Sequence, residues 1–496
     1  MLKSLRPLLA DRRRARSLAA ASVTLAAAGI VLIRAPEATT AAPIGPAVVT
    51  QTVTPARNAQ GAASARFALP KLHGRVAMAQ GAVGPDGLQH VYAEVRVNAV
   101  DTRDQAPSRP VAMAVVLDVS GSMDGEKIQQ ARNSVLSLVD QMRDDDRIAL
   151  VTYSDSARVV QPLARVADVR QRLHSVVPGI AIEGGTNIPA GLQAGASALE
   201  YAPDSLVRRV VLVSDGQDTS GQPLERTAGT VRTRADLGVT LSALGVGADY
   251  DERFMSRMAD AGRGNYEFLR DGAQLRTFLA RELDQAARTT VERAFAEVVL
   301  PEGWRLSRAF GTEAEVRGRV VRLPVGALFA GDSRRLVLDL EVDPQAAQAA
   351  HGAGRAGAMS ARAGYYDVRA SADRVADLGA LALGVASSAR EAVASRDLAV
   401  FSEAEGTVIA ARQADAVVAW REGDTARATA IARQNVAALQ QLQAAAPSPA
   451  RAAQIRAYDR DEAAFNSLSA ASESGRAYGL GSNAVHRRAL RSALAY

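Results

Sequence analysis

The chain has 496 residues, with 59 Lys and Arg, 53 Asp and Glu, five His and no Cys. That length allows several domains, and the lack of cysteine excludes disulfides, thiol catalysis and a cysteine-linked lipid anchor. The net charge of +6 lies wholly in residues 1–34, where seven basic residues face Asp11 alone. The remainder is balanced and offers no basic footprint for nucleic acid.

In chain order, a basic stretch around Arg12–Arg14 precedes an apolar run at residues 18–33. This is an export signal. It ends either in cleavage near Thr40-Ala41-Ala42 or in an uncleaved inner-membrane anchor. In both cases the basic end stays in the cytoplasm and the rest faces the periplasm or cell surface. Residues 35–70, rich in Ala, Pro, Thr and Gln, read as a flexible linker. In residues 90–100, Val91, Ala93, Val95, Val97 and Ala99 alternate on one side, as in a half-buried strand. One or two strands need partners elsewhere in the chain.

The chemistry begins at Asp118-Val119-Ser120-Gly121-Ser122, which follows the apolar run 111–117. Gly184-Gly185-Thr186-Asn187 and Ser214-Asp215-Gly216 come downstream, the latter ending a second apolar run at 210–213. Asp118, Ser120, Ser122, Thr186 and Asp215 supply two carboxylates and three hydroxyls, an all-oxygen set suited to Mg²⁺ or to Ca²⁺ or Mn²⁺. Neutral hydroxyls leave such a cation under-neutralised, so it favours one more carboxylate. Gly121, Gly184 and Gly185 let the backbone approach closely.

Around these motifs, Ile128, Ala131, Val135, Leu138 and Met142 recur at helical spacing. Short β-branched runs at 148–153, 209–213 and 239–246 alternate with helical patterns near 188–199, 224–237 and 252–259. This is the signature of a doubly wound α/β sheet, with Asp118 and Asp215 just past two strand ends, where ligand sites form. The run Asp144-Asp145-Asp146 reads as a turn rather than a second cation site. Asp124 either stands behind the metal ligands or caps a helix.

Residues 111–288 resemble a von Willebrand factor type A domain, and the five oxygen-bearing residues match that family's metal-ion-dependent adhesion site. The resemblance implies that Ser120, Ser122 and Thr186 ligate directly while Asp118 and Asp215 act through water. It further implies a non-enzymatic, cation-dependent module that binds a protein partner through an acidic residue. A second implied role is an envelope assembly factor working with a separate ATPase. The chain itself has no Gly-x-x-x-x-Gly-Lys-Ser/Thr loop, no His-Glu-x-x-His motif and no catalytic constellation.

After the A domain, strand patterns near 293–300, 319–323, 335–342 and 363–368 pair naturally with residues 71–110. Together, 71–110 and 289–386 make an antiparallel β-sandwich into which the A domain is inserted, as in bacterial exported A-domain proteins. The inter-alpha-trypsin inhibitor heavy chains and calcium-activated chloride channel-like proteins resemble it more distantly. Residues 345–360, rich in Ala and Gly, are expected to loop. Residues 387–446 form a helical hairpin turning at Arg421-Glu422-Gly423-Asp424, and 447–496 form a partly ordered tail with a helical pattern near 450–467 and a polar Gly/Ser stretch at 472–483. Trp304 and Trp420 are expected as core anchors.

Overall fold

The computed structural model describes residues 48–101, 109–270, 273–367 and 372–491. The expected export signal, residues 1–34, lies outside the described residues, and among them no helix is long and apolar enough to cross a membrane.

Alternation builds the first strands. They are β1 (Val48–Thr52), β2 (Ala56–Arg57), β3 (Ala63–Ala68), β4 (Leu72–Met78), β5 (Ala82–Val83) and β6 (Gln89–Ala99). In β3 the residues Ala63, Ala65 and Phe67 are buried while those between them face outward. This corrects the expected linker: from Val48 onward residues 35–70 carry strands, not a spacer. Two of the three buried side chains in β3 are alanines, whose small apolar contrast hides the alternation.

The chain then enters the inserted α/β unit. Its elements are β7 (Val111–Asp118), α1 (Glu126–Gln141), β8 (Arg147–Tyr153), β9 (Ala157–Arg165), α2 (Val166–Val176) and α3 (Ile188–Ala198). They continue with β10 (Val207–Ser214), α4 (Leu224–Asp236), β11 (Val239–Val246), α5 (Glu252–Ala261), β12 (Arg263–Leu269) and α6 (Ala273–Ala287). The strand order is β12-β11-β10-β7-β8-β9, parallel except for β9. Apolar side chains of α1, α2 and α6 cover one face and those of α3, α4 and α5 the other. Covered on both sides, β7 is buried along its whole length, which is why it reads as a continuous apolar run. Asp146 is also buried, and its carboxylate accepts from the backbone N–H groups of Val111 and Arg143. It pins the start of β7, so the acidic run is a structural turn. Asp124 does not cap α1, whose N-cap is Gly125.

Where the chain enters and leaves the insert, Arg109 N–H donates to Ala287 C=O at 3.0 Å. It then completes the sandwich with β13 (Thr289–Val299), β14 (Trp304–Phe310), β15 (Glu315–Arg317), β16 (Val320–Phe329), β17 (Ser333–Val342), α7 (Pro344–His351), β18 (Arg355–Asp367) and β19 (Ala372–Val385). One sheet runs β1-β19-β18-β13-β16-β15, and the other runs β14-β17-β6-β4-β3-β2. Pairing is antiparallel except where β1 and β5 run parallel to β19. The two sheets share one core, which includes Trp304. Residues 345–360 do not loop. Asp343 caps α7 by accepting from Gln345 and Ala346 N–H groups, with proline in the first turn, and β18 follows.

Five helices close the chain: α8 (Ala389–Ala394), α9 (Leu398–Arg421), α10 (Thr425–Ala445), α11 (Pro449–Ser467) and α12 (Glu473–Arg491). The hairpin of α9 and α10 turns as expected, with Asp424 accepting from Arg427 N–H. The tail expected to be partly ordered is two helices with buried faces: α11 falls where the helical pattern near 450–467 predicts it, and α12 stands in place of the expected polar Gly/Ser stretch. Phe465 of α11 packs on Trp420 at 5.3 Å between ring centroids, and Leu480 and Ala484 of α12 join the core on the α3–α5 side of the α/β sheet.

Asp461 lies at the centre of this bundle, 3% exposed. It accepts from Gln413 Nε2 at 2.8 Å, Tyr478 OH at 2.9 Å and Ser482 Oγ at 2.7 Å, with His486 Nε2 at 2.6 Å. Burial alone would push its carboxyl upward, but the His486, Ser482 and Gln413 hydrogen bonds hold it below the usual carboxylate range. The resulting stabilisation is present above the ordinary value of 3.8 and is lost as pH falls through the lower folded value. Asp461→Asn should therefore cost about 2 kcal/mol near neutrality. In urea unfolding of both proteins, the difference should shrink below about pH 4. A difference that does not change with pH would show that the carboxylate charge is not what stabilises the bundle.

Candidate metal centre

The five oxygen-bearing residues meet at the carboxyl ends of the central strands. β7 lies between β10 and β8, where the helical connections diverge to opposite sides of the sheet, leaving a crevice. β7 delivers Asp118, and the loop after it delivers Ser120 and Ser122. The loop after β10 delivers Asp215, and Thr186 sits just before α3.

Asp118 is fully buried. Its Oδ1 accepts from Ser120 N–H at 2.9 Å, and its Oδ2 accepts from Ser214 Oγ at 2.6 Å and Tyr153 OH at 3.3 Å. Burial pushes this carboxyl above its usual range, the bonds from Ser214 and Ser120 work against that, and nearby Asp215 adds to it. Ser120 Oγ lies 3.1 Å from Ser122 Oγ, which donates to Asp215 Oδ1 at 2.7 Å. Thr186 Oγ1 closes the group: a Cβ added at Gly216 would stand 3.1 Å from it and 3.3 Å from Ser122 Oγ. Four of the five residues are buried, while Ser122 is exposed and opens the cluster to solvent.

The surrounding shell holds, besides Ser214 of the third motif, residues that the motifs do not announce. Tyr153 and Ser214 orient Asp118. Lys127 Nζ donates to Asp215 Oδ2 and, at 3.2 Å, to Ser122 C=O. Thr219 N–H donates to Thr186 C=O at 2.8 Å, and Thr186 N–H donates to Thr219 Oγ1 at 3.1 Å. Asp155 explains two glycines: a Cβ at Gly184 would fall 2.3 Å from its Oδ2 and one at Gly185 2.5 Å from its Oδ1. The pair thus makes room for a carboxylate rather than for a tight turn, and Gly121 has open space where a Cβ would stand. One signal was available for Tyr153, which ends an apolar strand and pairs in register with Asp118. Ser214 directly precedes Asp215.

A donor set of two carboxylates and three hydroxyls fits a hard divalent cation and leaves room for an external ligand. A serine, a histidine and an aspartate also meet in the helical bundle, but not as a hydrolytic relay. There Ser482 Oγ and Asp461 Oδ2 both contact the same His486 nitrogen, Nε2, at 3.1 and 2.6 Å. A hydrolytic relay needs them on opposite nitrogens.

Comparison with known proteins agrees with this fold. The family model described as von Willebrand factor type A domain matches residues 113–281. The uncharacterized protein YfbK of Escherichia coli is 29% identical over 231 residues, covering 45% of this chain and 39% of its own length. Inter-alpha-trypsin inhibitor heavy chain H2 of Mus musculus is 31% identical over 169 residues, 31% of this chain and 17% of its own. The chain therefore spans well under two thirds of these relatives. Two solved structures extend the likeness past the α/β unit. A von Willebrand factor type A protein from Catenulispora acidiphila superposes with a TM-score of 0.65 at 19% identity, covering 84% of this chain and 98% of its own. The ArnB paralog VWA2 from Sulfolobus acidocaldarius does so at 0.57 and 16%, covering 85% and 98%. The inserted arrangement is thus a known fold.

Proposed function

Because residues 113–281 of this chain are a von Willebrand factor type A domain, we propose that the protein is a non-enzymatic module that binds a protein partner through a divalent cation. The cation, Mg²⁺ or a similar hard ion, is held by Asp118, Ser120, Ser122, Thr186 and Asp215. It bridges to an aspartate or glutamate of the partner. The module acts outside the cytoplasm, carried there by the signal in residues 1–34, which either anchors it in the inner membrane or is cleaved. The observation that carries this reading is that Ser122 Oγ meets both Ser120 Oγ, at 3.1 Å, and Asp215 Oδ1 of a loop 93 residues away, at 2.7 Å. Three of the five ligands are neutral hydroxyls, so the ion's inner coordination is poor in charge and takes a carboxylate from outside.

The test uses the full chain as bait for envelope extract, in Mg²⁺ and in EDTA. Ser120→Ala and Thr186→Ala should each weaken metal and partner binding together, by at least the roughly tenfold that losing a hydrogen-bond partner behind a ligand costs. Circular dichroism should remain unchanged. Partner retention that survives EDTA and both substitutions would reject the bridging mechanism and place recognition on the sandwich or the helices.

A further inference from the structure

We propose that Lys127 is a built-in cation of the metal centre, which holds Asp215 in place and must be partly displaced when the divalent ion binds. This inference rests on the metal reading above and deepens it by naming the residue that sets the ion's affinity.

The geometry is specific. Lys127 lies in the first turn of α1, whose N-cap is Gly125. From there its ammonium reaches back over the 120–125 loop to two acceptors, Asp215 Oδ2 and Ser122 C=O. The two oxygens of Asp215 are therefore divided: Oδ1 accepts from Ser122 Oγ and Oδ2 from Lys127. The Asp215 side chain is fully buried and that of Lys127 is 35% exposed. A buried carboxylate without a counter-charge is costly, and Lys127 meets that need from the solvent side.

Composition supports the choice of side chain. Only three lysines occur among 59 basic residues, and one of them is Lys127. A compact ammonium can bond two acceptors that share one small space, whereas the planar guanidinium fork needs acceptors spread along its edge. Two carboxylates and a divalent cation sum to zero. With Lys127 the site is left with one positive charge, which opposes the ion's entry.

Calorimetric titration of Mn²⁺ into the full chain at one pH and ionic strength tests the idea. Lys127→Met should bind Mn²⁺ about tenfold more tightly than wild type, the size expected for removing a partly screened unit charge beside the ion. Lys127→Arg, which keeps the charge but not the compact ammonium, should gain less Mn²⁺ affinity than Lys127→Met. In EDTA the Lys127→Met protein should melt at a lower temperature than wild type, because Asp215 has lost its counter-charge, and its rise in Tm on adding Mn²⁺ should be larger. Equal or weaker Mn²⁺ affinity in Lys127→Met, with Asp118→Asn still abolishing binding, overturns the role of Lys127 and leaves the metal site standing. A wild-type chain that binds no Mn²⁺ overturns both.

Discussion

Asp118→Asn is expected to lower divalent-cation affinity by at least about a hundredfold while leaving the metal-free fold as stable as wild type, or slightly more so. A hundredfold is about 2.7 kcal/mol, modest for one of only two carboxylates facing a divalent ion in a buried site. The second half of the expectation follows from burial. Asp118 is fully buried, and burial already pushes its carboxyl above the usual range, so ionisation there opposes folding. An amide of the same shape removes that cost. Its oxygen can keep the bond from Ser120 N–H, and its NH₂ can donate to Ser214 Oγ, since a hydroxyl accepts as readily as it donates. Calorimetric Mn²⁺ titration and thermal melts in EDTA measure the two halves separately. Retained metal binding would show that Asp118 only shapes the loop. A large loss of Tm in EDTA would show that its charge holds the strand ends together.

The largest effect on stability is expected from Trp420→Ala, at about 4 kcal/mol. Trp420 is fully buried near the end of α9. It packs on Phe465 of α11 and meets Tyr478 of α12 edge-on at 6.3 Å, so one ring joins three helices. A domain typically has only about 5–15 kcal/mol in total, and losing 4 would bring this one close to unfolding. The same contacts predict that a chain cut at Ala446 behaves worse than the point variant. The cut uncovers Trp420 and also strips Leu480 and Ala484 from the α3–α5 side of the α/β sheet. Urea unfolding of the full chain and of Trp420→Ala gives the number. A loss under about 1 kcal/mol, the level of an ordinary surface change, would mean that the last two helices are not part of the core.

The last helix also shows where sequence reading stops. The pattern near 450–467 marks α11, but in α12 the buried Leu480 and Ala484 stand among glycines, serines and arginines that blur any apolar stripe. In β3, likewise, a single Phe67 carries an alternation otherwise made of alanine. The metal motifs, in contrast, were legible because each is a contiguous run, and two of the three stand at the end of an apolar strand. Four of the α/β unit's parallel strands (β7, β8, β10 and β11) were legible for a related reason: a strand covered on both faces reads as a near-continuous apolar run.

Sequence by itself therefore determined the oxygen-bearing residues of the candidate site, the doubly wound architecture that carries them, and the insertion of that unit between two halves of a sandwich. Each of these is written in short-range pattern. Tertiary structure alone decided that Lys127 stands on Asp215, 88 residues away. It alone decided that Asp155 fills the space two glycines leave open, and that α12 reaches back to Glu252 through Asn483, 231 residues apart. Charge pairing and close packing depend on distance in space, and no local spacing of residues encodes which distant loop will arrive beside another.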